Sequence, residues 1–474
     1  MSARAHSIDG RTFAFTAPLS AAVPISAYVS IVVDEHTYLG QVLEVTVDTG
    51  SPAPAGSPVA RHVSGRGRLL TSGSPAFGDG AVTAADSKSV AEHLASTLGS
   101  NSAIELGRLQ APTEVAAQLL AKGFGRHTFM CGQSGSGKTY TLGVILERML
   151  LDTDIQIAVI DPNSDYVNLG SVMPEKATRL PVDEYRSLAA RYEAVAPRVQ
   201  VFGGEGSEDR LQALFGRLPF RQQTTVLGLD PLTDAEEFNA FTRIVRNLDT
   251  EEYSLDDVMA AIRLTFDDDA RRLGLRIENL GIQDQSIWAG TDEPMMRRLS
   301  DDWRMLIADT GSLPSAAEAS VASAALLTVL WERRRERRPM IIVIDEAHNV
   351  CPQNPQDANQ ALATETVVKI AGEGRKFGLF LLLSTQRPSK VHQSVISQCD
   401  NLLLMKMNSV ADLRSLSETF SYAPTGLIEL AAGFGLGEGL AAGKIAPDPL
   451  MFKSGTRLTL EGGSDVSSSW ARGR

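Results

Sequence analysis

A glycine-rich run offers the residue types and the spacing that bind phosphate. Gly132-Gln133-Ser134-Gly135-Ser136-Gly137-Lys138-Thr139 matches the pattern G-x-x-x-x-G-K-[ST] at every fixed position. In such a loop the backbone N–H groups turn toward phosphate oxygens, the lysine bridges the β and γ phosphates, and the threonine hydroxyl binds Mg²⁺. The pattern therefore predicts an ATP and Mg²⁺ site whose phosphate contacts come from Gly132, Ser134, Gly135, Ser136, Gly137, Lys138, Thr139 and the adjoining Tyr140.

A second set of residues supplies the acids that such a site requires. Four aliphatic residues, Ile341 to Ile344, lead directly into Asp345 and Glu346. Asp345 is predicted to hold Mg²⁺ together with Thr139, and Glu346 is placed to take the proton of the attacking water. The alternative is a solvated acid pair at the end of a strand, but the phosphate loop in the same chain favours the catalytic interpretation.

Three further polar residues leave two interpretations open. Gln386 follows an apolar strand and either senses the γ phosphate or satisfies a turn. Arg375 lies at the end of a helical stretch, where it either compensates the helix dipole or acts as an arginine finger in a neighbouring subunit. Arg126, just before the phosphate-loop strand, poses the same choice. Asp161 ends another strand and is a candidate acid behind the nucleotide.

Other chemically suggestive residues have plainer explanations. The run from Arg333 to Arg338 stands at a helix end, which favours a solvated face that compensates the dipole over contact with DNA. Cys131 and Cys351 lack a nucleophile's partner residues and are expected to pack in the core. His348 and His392 are loop candidates near a nucleotide or a polymer, and neither histidine decides between them.

The elements that position these residues alternate along the chain. Helix-like Tyr140 to Leu150 follows the phosphate loop, and each of several apolar runs is predicted as a strand of a largely parallel sheet in an α/β fold. Those runs are His127 to Cys131, Ile155 to Asp161, Val199 to Phe202, Met340 to Ile344, Gly378 to Ser384 and Asn401 to Met407.

The remaining segments suggest further parts. Residues 1–105 have short β-rich runs such as Tyr28 to Val33 and Gly40 to Val47, separated by Gly/Pro/Ser-rich segments such as Thr49 to Pro58. This pattern predicts a small β-barrel. Ile104 to Lys122 looks helical. The predicted domains are the barrel (1–105), an ATPase core (106–204 and 339–445), a helical insertion (205–338, with helices at 234–248, 254–273 and 315–337) and an extended tail (446–474) that includes Ser467 to Ser469.

Composition narrows the function classes. The 474 residues carry a formal charge of −12, so any nucleic-acid contact must be local. The three cysteines have neither CxxC nor Cys/His spacing, which indicates no zinc site or disulfide framework and fits a reduced cytoplasm. Prolines and serines divide the apolar stretch from Phe13 to Val33 into strand-sized pieces, and no apolar segment approaches the roughly 20 residues that span a bilayer, so no membrane association is expected.

Taken together, the motifs resemble the HerA branch of the HerA/FtsK superfamily of hexameric DNA-translocating ATPases. The resemblance rests on Arg126-His127, Asp161-Pro162 with Asp165-Tyr166, Ile344-Asp345-Glu346-Ala347-His348, Gly374-Arg375-Lys376-Phe377-Gly378 and Ser384-Thr385-Gln386-Arg387-Pro388. Tyr28 to Val47 is similar to the N-terminal HAS-barrel, and the Gly462-Gly463 tail to the C-terminal brace.

The resemblance implies a RecA-like ATPase core, a homohexameric ring and duplex DNA in the central pore, with Arg387 and Lys390 as pore candidates. It also implies that Arg126 contacts phosphate within its own subunit and that Arg375 acts across the interface. Asn163-Ser164-Asp165 replaces the usual His-Gly-Glu, and Cys131 replaces a small aliphatic residue, which leaves the turnover rate open.

Two functions follow from these expectations. The first is a hexameric, ATP-hydrolysing DNA translocase or helicase that acts with a nuclease or effector protein in DNA processing or antiphage defence. The second is an ATP-assembled ring scaffold that organises and activates such an effector, either a nuclease or an NAD-consuming enzyme, with little translocation.

Overall fold

The computed structural model describes residues 3–48, 62–71, 73–248, 252–290 and 293–463. The strands in chain order are β1 (Ala3–Ser7), β2 (Thr12–Pro18), β3 (Tyr28–Val33), β4 (His36–Asp48), β5 (His62–Leu69), β6 (Phe77–Ala84), β7 (Ala103–Leu109), β8 (Ala116–Leu120), β9 (His127–Cys131), β10 (Gln156–Asp161), β11 (Val199–Phe202), β12 (Met305–Asp309), β13 (Met340–Ile344), β14 (Leu379–Thr385), β15 (Cys399–Met405), β16 (Glu438–Gly443) and β17 (Ala446–Ser454).

The α-helices are α1 (Ser87–Leu98), α2 (Lys138–Asp152), α3 (Val182–Glu193), α4 (Phe220–Val226), α5 (Ala235–Asn247), α6 (Leu255–Leu264), α7 (Asp268–Asn279), α8 (Met295–Arg298), α9 (Ala316–Glu332), α10 (Ala347–Val350), α11 (Ala358–Glu373), α12 (Gln393–Ile396), α13 (Val410–Thr419) and α14 (Thr425–Glu429). Contacts within the chain divide it into two compact units. Unit 1 comprises residues up to 124, 130–148 and 400–456, and unit 2 comprises 125–129, 149–399 and the residues from 457 onward.

The first six strands of unit 1 form a closed barrel. Their order is β1-β2-β5-β4-β3-β6, with β6 pairing back to β1, and all neighbours are antiparallel. Buried and exposed residues alternate along β1 and β5, as the period of a strand requires when one face lines a core. The predicted barrel is confirmed, and the predicted strand Tyr28–Val33 has the bounds of β3.

Two glycines of β5 make room for the aromatic core of this barrel. Gly65 lies opposite Phe15 and Gly67 opposite Phe13 across the β2–β5 pair. A Cβ atom on Gly67 would lie 2.3 Å from the Phe13 ring and 2.4 Å from the Gln41 carbonyl oxygen. The rings therefore lie against bare backbone, and a side chain at these positions would have to displace them.

The rest of unit 1 carries an antiparallel arrangement of strands in the order β15-β16-β17-β7-β8. The prediction of a helix over Ile104–Lys122 is wrong, because this segment forms β7 and β8. Ile104, Leu106 and Leu109 are buried on β7. Gly107 has a φ of 150°, and a Cβ there would lie 2.1 Å from the Lys453 carbonyl oxygen of β17. Pro112, which cannot continue a helix interior, falls in the turn.

Polar contacts join the barrel to β17 within unit 1. Gln41 donates from Nε2 to the Pro449 carbonyl oxygen at 2.8 Å, in a fully buried position. Asp448 pairs with Arg68 of β5 and lies 2.6 Å from Nε2 of His93 on α1. Burial alone would raise the pKa of Asp448, but the bonds from His93 and Arg68 outweigh it and lower the pKa below the ordinary value. The carboxylate therefore stays charged and ties three elements together.

Unit 2 is built on a parallel array of strands. The order β11-β12-β10-β13-β14 is parallel throughout. β10, β12 and β13 are buried at every position, which is typical of central strands covered on both faces. The largely parallel sheet is thereby confirmed, and the predicted strands Val199–Phe202 and Met340–Ile344 have the bounds of β11 and β13.

One core strand falls where only helices were predicted. β12 lies inside the segment 205–338 that the sequence indicated as a helical insertion. The strand has only five residues and follows a charged segment. Its strand conformation therefore depends on pairing with β10 and β11 rather than on a local sequence pattern. The division into four domains stays a prediction.

Two of the three helices predicted in that segment are present, and the third is divided into two helices. α5 and α9 coincide closely with the helices predicted at 234–248 and 315–337. Ser254 forms the predicted capping box with Asp257 at the start of α6. The single helix predicted over 254–273 is wrong, because the chain leaves the helical conformation at Thr265 and Asp267 caps a new helix, α7.

The C-terminal segment is more ordered than an extended tail. Its first residues form β17, and in unit 2 the N–H of Met173 donates to the Leu458 carbonyl and the N–H of Gly462 to that of Asp165. The predicted serine run at 467–469 and the Gly/Pro/Ser-rich segment at 49–58 lie outside the described residues. Among the described residues, no helix is long and apolar enough to cross a membrane.

We expect Gly67→Ala to lower the melting temperature of the protein, because the methyl group would overlap Phe13 and the Gln41 carbonyl. Overpacking of this kind costs about 1–3 kcal/mol of folding free energy. Gly78→Ala in β6 is the matched control, since a Cβ there meets nothing within 4 Å. Thermal unfolding of both variants beside the wild type tests this, and equal melting temperatures for the two variants would contradict it.

Candidate functional site

The phosphate loop is held in a defined shape by neighbours in unit 1. β9 is buried at every position, the loop follows it, and α2 begins at Lys138. Gly135 and Gly137 have φ values of 72° and 87°, a region that residues other than glycine rarely adopt. The N–H of Gln133 donates to the Lys406 carbonyl at 2.8 Å, and the N–H of Gly437 donates to the Ser136 carbonyl at 2.9 Å. The loop is thus anchored on both sides.

The donors of this loop fit a phosphate group. The hydroxyl of Ser136 is fully buried and has no hydrogen-bond partner among the described residues. A Cβ on Gly135 would meet nothing within 4 Å, so the space beside the loop is open. Lys138 is 6% exposed and stands at the N-terminus of α2, where the helix dipole favours an anion. An anion at this position would supply the partner that the Ser136 hydroxyl lacks.

In unit 2 the acidic pair stands where β13 ends. Asp345 is fully buried, and both of its oxygens accept a hydrogen bond, one from the Glu346 N–H at 2.9 Å and one from the Tyr166 hydroxyl at 3.0 Å. Burial and the nearby Asp345 raise the pKa of Tyr166 well above its ordinary value, so its hydroxyl stays a donor. These two bonds orient a carboxylate, which is the kind of ligand that Mg²⁺ prefers.

Glu346 is held in a strained backbone conformation. Its φ and ψ are 43° and 48°, the left-handed region that a residue with a side chain seldom occupies. It immediately precedes α10 and is 7% exposed. One carboxylate oxygen, Oε2, lies 3.2 Å from Nδ1 of His348. Strain of this kind is common at catalytic positions, where the surrounding structure fixes a side chain in the geometry it needs.

His348 also contacts the strand that ends beside it. Its Nδ1 lies 3.0 Å from the hydroxyl oxygen of Thr385, the last residue of β14. Thr385 is fully buried, whereas the next residue, Gln386, is partly exposed. Both residues lie in motifs of the HerA resemblance, but the sequence predicted no contact between them. The contact between them spans 37 positions, so no local pattern reveals it.

Asp161 holds a loop, and its environment is unusual. Its carboxylate accepts backbone N–H bonds from Asn163 at 3.3 Å, Asp165 at 3.0 Å and Tyr166 at 2.8 Å. Burial raises its pKa to about 7, although these backbone bonds lower it in part. The carboxylate thereby shapes the segment that delivers Tyr166 to Asp345. A direct contact of Asp161 with nucleotide stays a prediction.

The remaining predicted residues stand on solvent-accessible positions. Arg126 is exposed just before β9, and Tyr140 is partly exposed in the first turn of α2. Arg375 is exposed in the 3₁₀ turn Gly374–Phe377 that follows α11. Exposure is compatible with contact to a nucleotide or to a second subunit, and the roles of these residues stay predictions.

The arginine run and the cysteines behave as their plainer interpretations expect. Arg333 pairs with Glu336, and the Arg334 guanidinium stacks 4.3 Å from the centre of the Trp331 ring. A cleft of about 660 Å³ next to this helix end contains none of the predicted site residues. Cys131 and Cys351 are fully buried, and burial raises the pKa of Cys351 to about 12, which makes it a poor nucleophile.

Known proteins resemble this chain in sequence and in fold. Residues 104–293 match the family model of the HerA helicase central domain. The chain is 23% identical over 403 residues to the probable helicase MJECL08 of Methanocaldococcus jannaschii, which covers 79% of this chain and 74% of that protein. It is 23% identical over 373 residues to the DNA double-strand break repair helicase HerA of Sulfurisphaera tokodaii, covering 76% and 70%. VirB4 of Thermoanaerobacter pseudethanolicus has the same fold, with a TM-score of 0.53 at 17% identity over 75% of this chain and 97% of that one.

The parallel sheet, the phosphate loop and the acidic strand end define a P-loop ATPase with a RecA-like core. Within that class the chain is similar to HerA helicases, and the resemblance that its motifs predicted is confirmed.

We expect Tyr166→Phe to raise the Mg²⁺ concentration needed for half-maximal ATPase activity by about 10-fold, because Asp345 loses the donor that orients it. Tyr192→Phe is the matched control: it also deletes a buried tyrosine hydroxyl, one that donates to the Leu169 carbonyl at 2.8 Å. Magnesium titrations of ATP hydrolysis compare the two variants. An unchanged magnesium requirement in Tyr166→Phe would contradict the prediction that this hydroxyl orients Asp345 for Mg²⁺.

Proposed function

We propose that this chain is the subunit of a homohexameric motor that hydrolyses ATP and moves duplex DNA through the ring. The observation that carries the proposal is the acidic strand end, where a fully buried, doubly hydrogen-bonded Asp345 precedes a strained Glu346. The names of the relatives support the DNA part, since the Sulfurisphaera tokodaii protein is a DNA double-strand break repair helicase.

The residues divide the chemistry of hydrolysis among them. The loop from Gly132 to Thr139 binds the phosphates of ATP, Lys138 neutralises their charge, and Thr139 and Asp345 are the ligands for Mg²⁺. Glu346 accepts the proton of the attacking water, and Gln386 orients that water or senses the γ phosphate. Arg126 contacts phosphate in its own subunit, and Arg375 stabilises transition-state charge in the neighbouring subunit.

DNA contact is assigned to a short segment rather than to the whole surface. The protein is acidic overall, with a formal charge of −12. Arg387 and Lys390 are exposed in the segment that follows β14, and both side chains can pair with phosphates of the DNA backbone. A central pore concentrates six copies of such a segment on the duplex, so a few cations in each chain are enough.

A nuclease or another effector protein is the proposed partner. The N-terminal barrel has a closed hydrogen-bonding pattern and its own aromatic core, so the part of its outer surface that does not contact β17 is the proposed docking surface. A role of the complex in DNA processing or antiphage defence follows from the choice of effector.

The central test is the rate of ATP hydrolysis with and without duplex DNA. We expect Glu346→Gln to lower kcat by about 10²–10⁴-fold, because the general base is lost while the phosphate contacts remain. Glu336→Gln is the matched control, since Glu336 forms an ion pair with Arg333 at a helix end and is not one of the predicted site residues. Binding of a fluorescent ATP analogue should persist in Glu346→Gln. Absence of ATPase activity in the wild type, with or without DNA, would overturn the motor and favour the scaffold.

The assignment of Arg375 to the neighbouring subunit has its own test. We expect Arg375→Ala to lower kcat by about 10³-fold or more with ATP binding retained, whereas Lys376→Ala in the same turn retains activity. Rings mixed from Arg375→Ala and Glu346→Gln subunits should recover part of the rate. Some interfaces in these rings combine an intact Glu346 with an intact Arg375 from the next subunit. No recovery in mixed rings would place Arg375 in its own subunit's site.

A further inference from the structure

A continuous line of polar contacts runs from the catalytic glutamate to the segment proposed to touch DNA. Glu346 Oε2 lies 3.2 Å from His348 Nδ1, and the same nitrogen lies 3.0 Å from Thr385 Oγ1. Thr385 Oγ1 in turn accepts the backbone N–H of Arg387 at 3.0 Å. Nδ1 of His348 therefore lies between the Glu346 carboxylate and the Thr385 hydroxyl, which is itself bonded to the Arg387 backbone.

The chemistry of that nitrogen allows two arrangements. When Nδ1 carries a proton, it can donate to the Glu346 carboxylate or to the Thr385 hydroxyl, and a single N–H is well aligned with only one of them. When Nδ1 is bare, it accepts the Thr385 proton and offers nothing to the carboxylate. The position of the Thr385 hydroxyl thus decides how strongly the imidazole holds Glu346.

The surroundings make this arrangement sensitive to small displacements. Thr385 is fully buried, and the side chains of His348 and Glu346 are 12% and 9% exposed. Hydrogen bonds in such a poorly hydrated site are strong, and they weaken steeply when the N–H turns away from its acceptor. The strained backbone of Glu346 also limits how far its side chain can follow.

The segment after β14 is tied to the other end of α10 as well. The N–H of Gln353 donates to the Lys390 carbonyl at 2.7 Å, and the N–H of His392 donates to the Cys351 carbonyl at 2.9 Å. α10, which carries His348, therefore lies between Glu346 at its start and a backbone connection to Lys390 and His392 just past its end. A displacement of residues 386–390 reaches His348 from two sides.

We propose that His348 is a positioning residue that couples DNA binding to hydrolysis. Phosphates of the DNA backbone that bind Arg387 or Lys390 shift the Arg387 backbone and Thr385, which moves the Nδ1 contact between Thr385 and Glu346. Glu346 then adopts the position in which it accepts the proton of water. The inference rests on the proposed function, because it assigns the regulation of the same site.

The experiment measures the ratio of the ATPase kcat at saturating duplex DNA to the kcat without DNA. We expect Thr385→Val to bring this ratio down to about one with ATP binding retained, because valine has the shape of threonine and no hydroxyl. Thr385→Ser should restore a ratio near that of the wild type. Thr366→Val is the matched control, because its hydroxyl donates to the Leu362 carbonyl of its own helix at 2.9 Å.

His348→Asn and His348→Ala form the second pair of variants. The asparagine amide can stand in for Nδ1, so His348→Asn should retain part of the DNA stimulation and His348→Ala none. Thermal unfolding and binding of a fluorescent ATP analogue establish that each variant is folded. If Thr385→Val does not fold, the histidine pair decides the inference by the same ratio.

The outcomes separate this inference from the proposed function. A wild type that duplex DNA stimulates, together with unstimulated Thr385→Val and His348→Ala, supports the coupling. A stimulated wild type whose Thr385→Val and His348→Ala variants keep the full ratio overturns the coupling and leaves the motor intact. A wild type that hydrolyses ATP at the same rate with and without duplex DNA overturns the DNA motor, and the coupling with it.

Discussion

The need to satisfy a fully buried carboxylate organises much of unit 2. Asp345 ends an apolar strand where water does not reach, so a charge there is tolerable only if hydrogen-bond donors surround it. Tyr166 is one donor that comes from elsewhere in the chain, and Asp161 accepts three N–H groups of the loop that delivers it. β10 and β13 must therefore be parallel neighbours in their observed register, because their ends carry Asp161 and Asp345.

The same logic explains where backbone strain is found. The left-handed glycines of the phosphate loop and the left-handed Glu346 all stand at strand ends, next to groups that would bind phosphate or activate water. Elsewhere in the chain, left-handed residues mostly occupy ordinary turns. Glu346 combines this strain with burial and with a carboxylate oxygen 3.2 Å from Nδ1 of His348. The conformation occurs where two carboxylates stand on adjacent residues at the end of β13.

Sequence patterns predicted the elements whose signals are local and failed where distant partners decide. Met340–Ile344 is a run of five apolar residues and could be assigned with its bounds. β7 and β8 were mistaken for a helix, because their strand character comes from pairing with each other and with β17. The motif residues of the site could be found one by one. The pairs Tyr166 with Asp345 and His348 with Thr385 could not, since they join positions 179 and 37 residues apart.

The departure at Asn163-Ser164-Asp165 left the competence of the site open, and the contacts of this loop argue that it is tolerated. Asp161 binds backbone N–H groups here, and the N–H of Gly462 donates to the Asp165 carbonyl. Ser164 adds one side-chain bond, to Asp309 at 2.8 Å. A side chain at position 462 would lie 1.8 Å from the Ser164 carbonyl oxygen, so the C-terminal segment fits against this backbone. The path of the loop depends mainly on main-chain contacts, and Tyr166 reaches Asp345 with these three residue types in place.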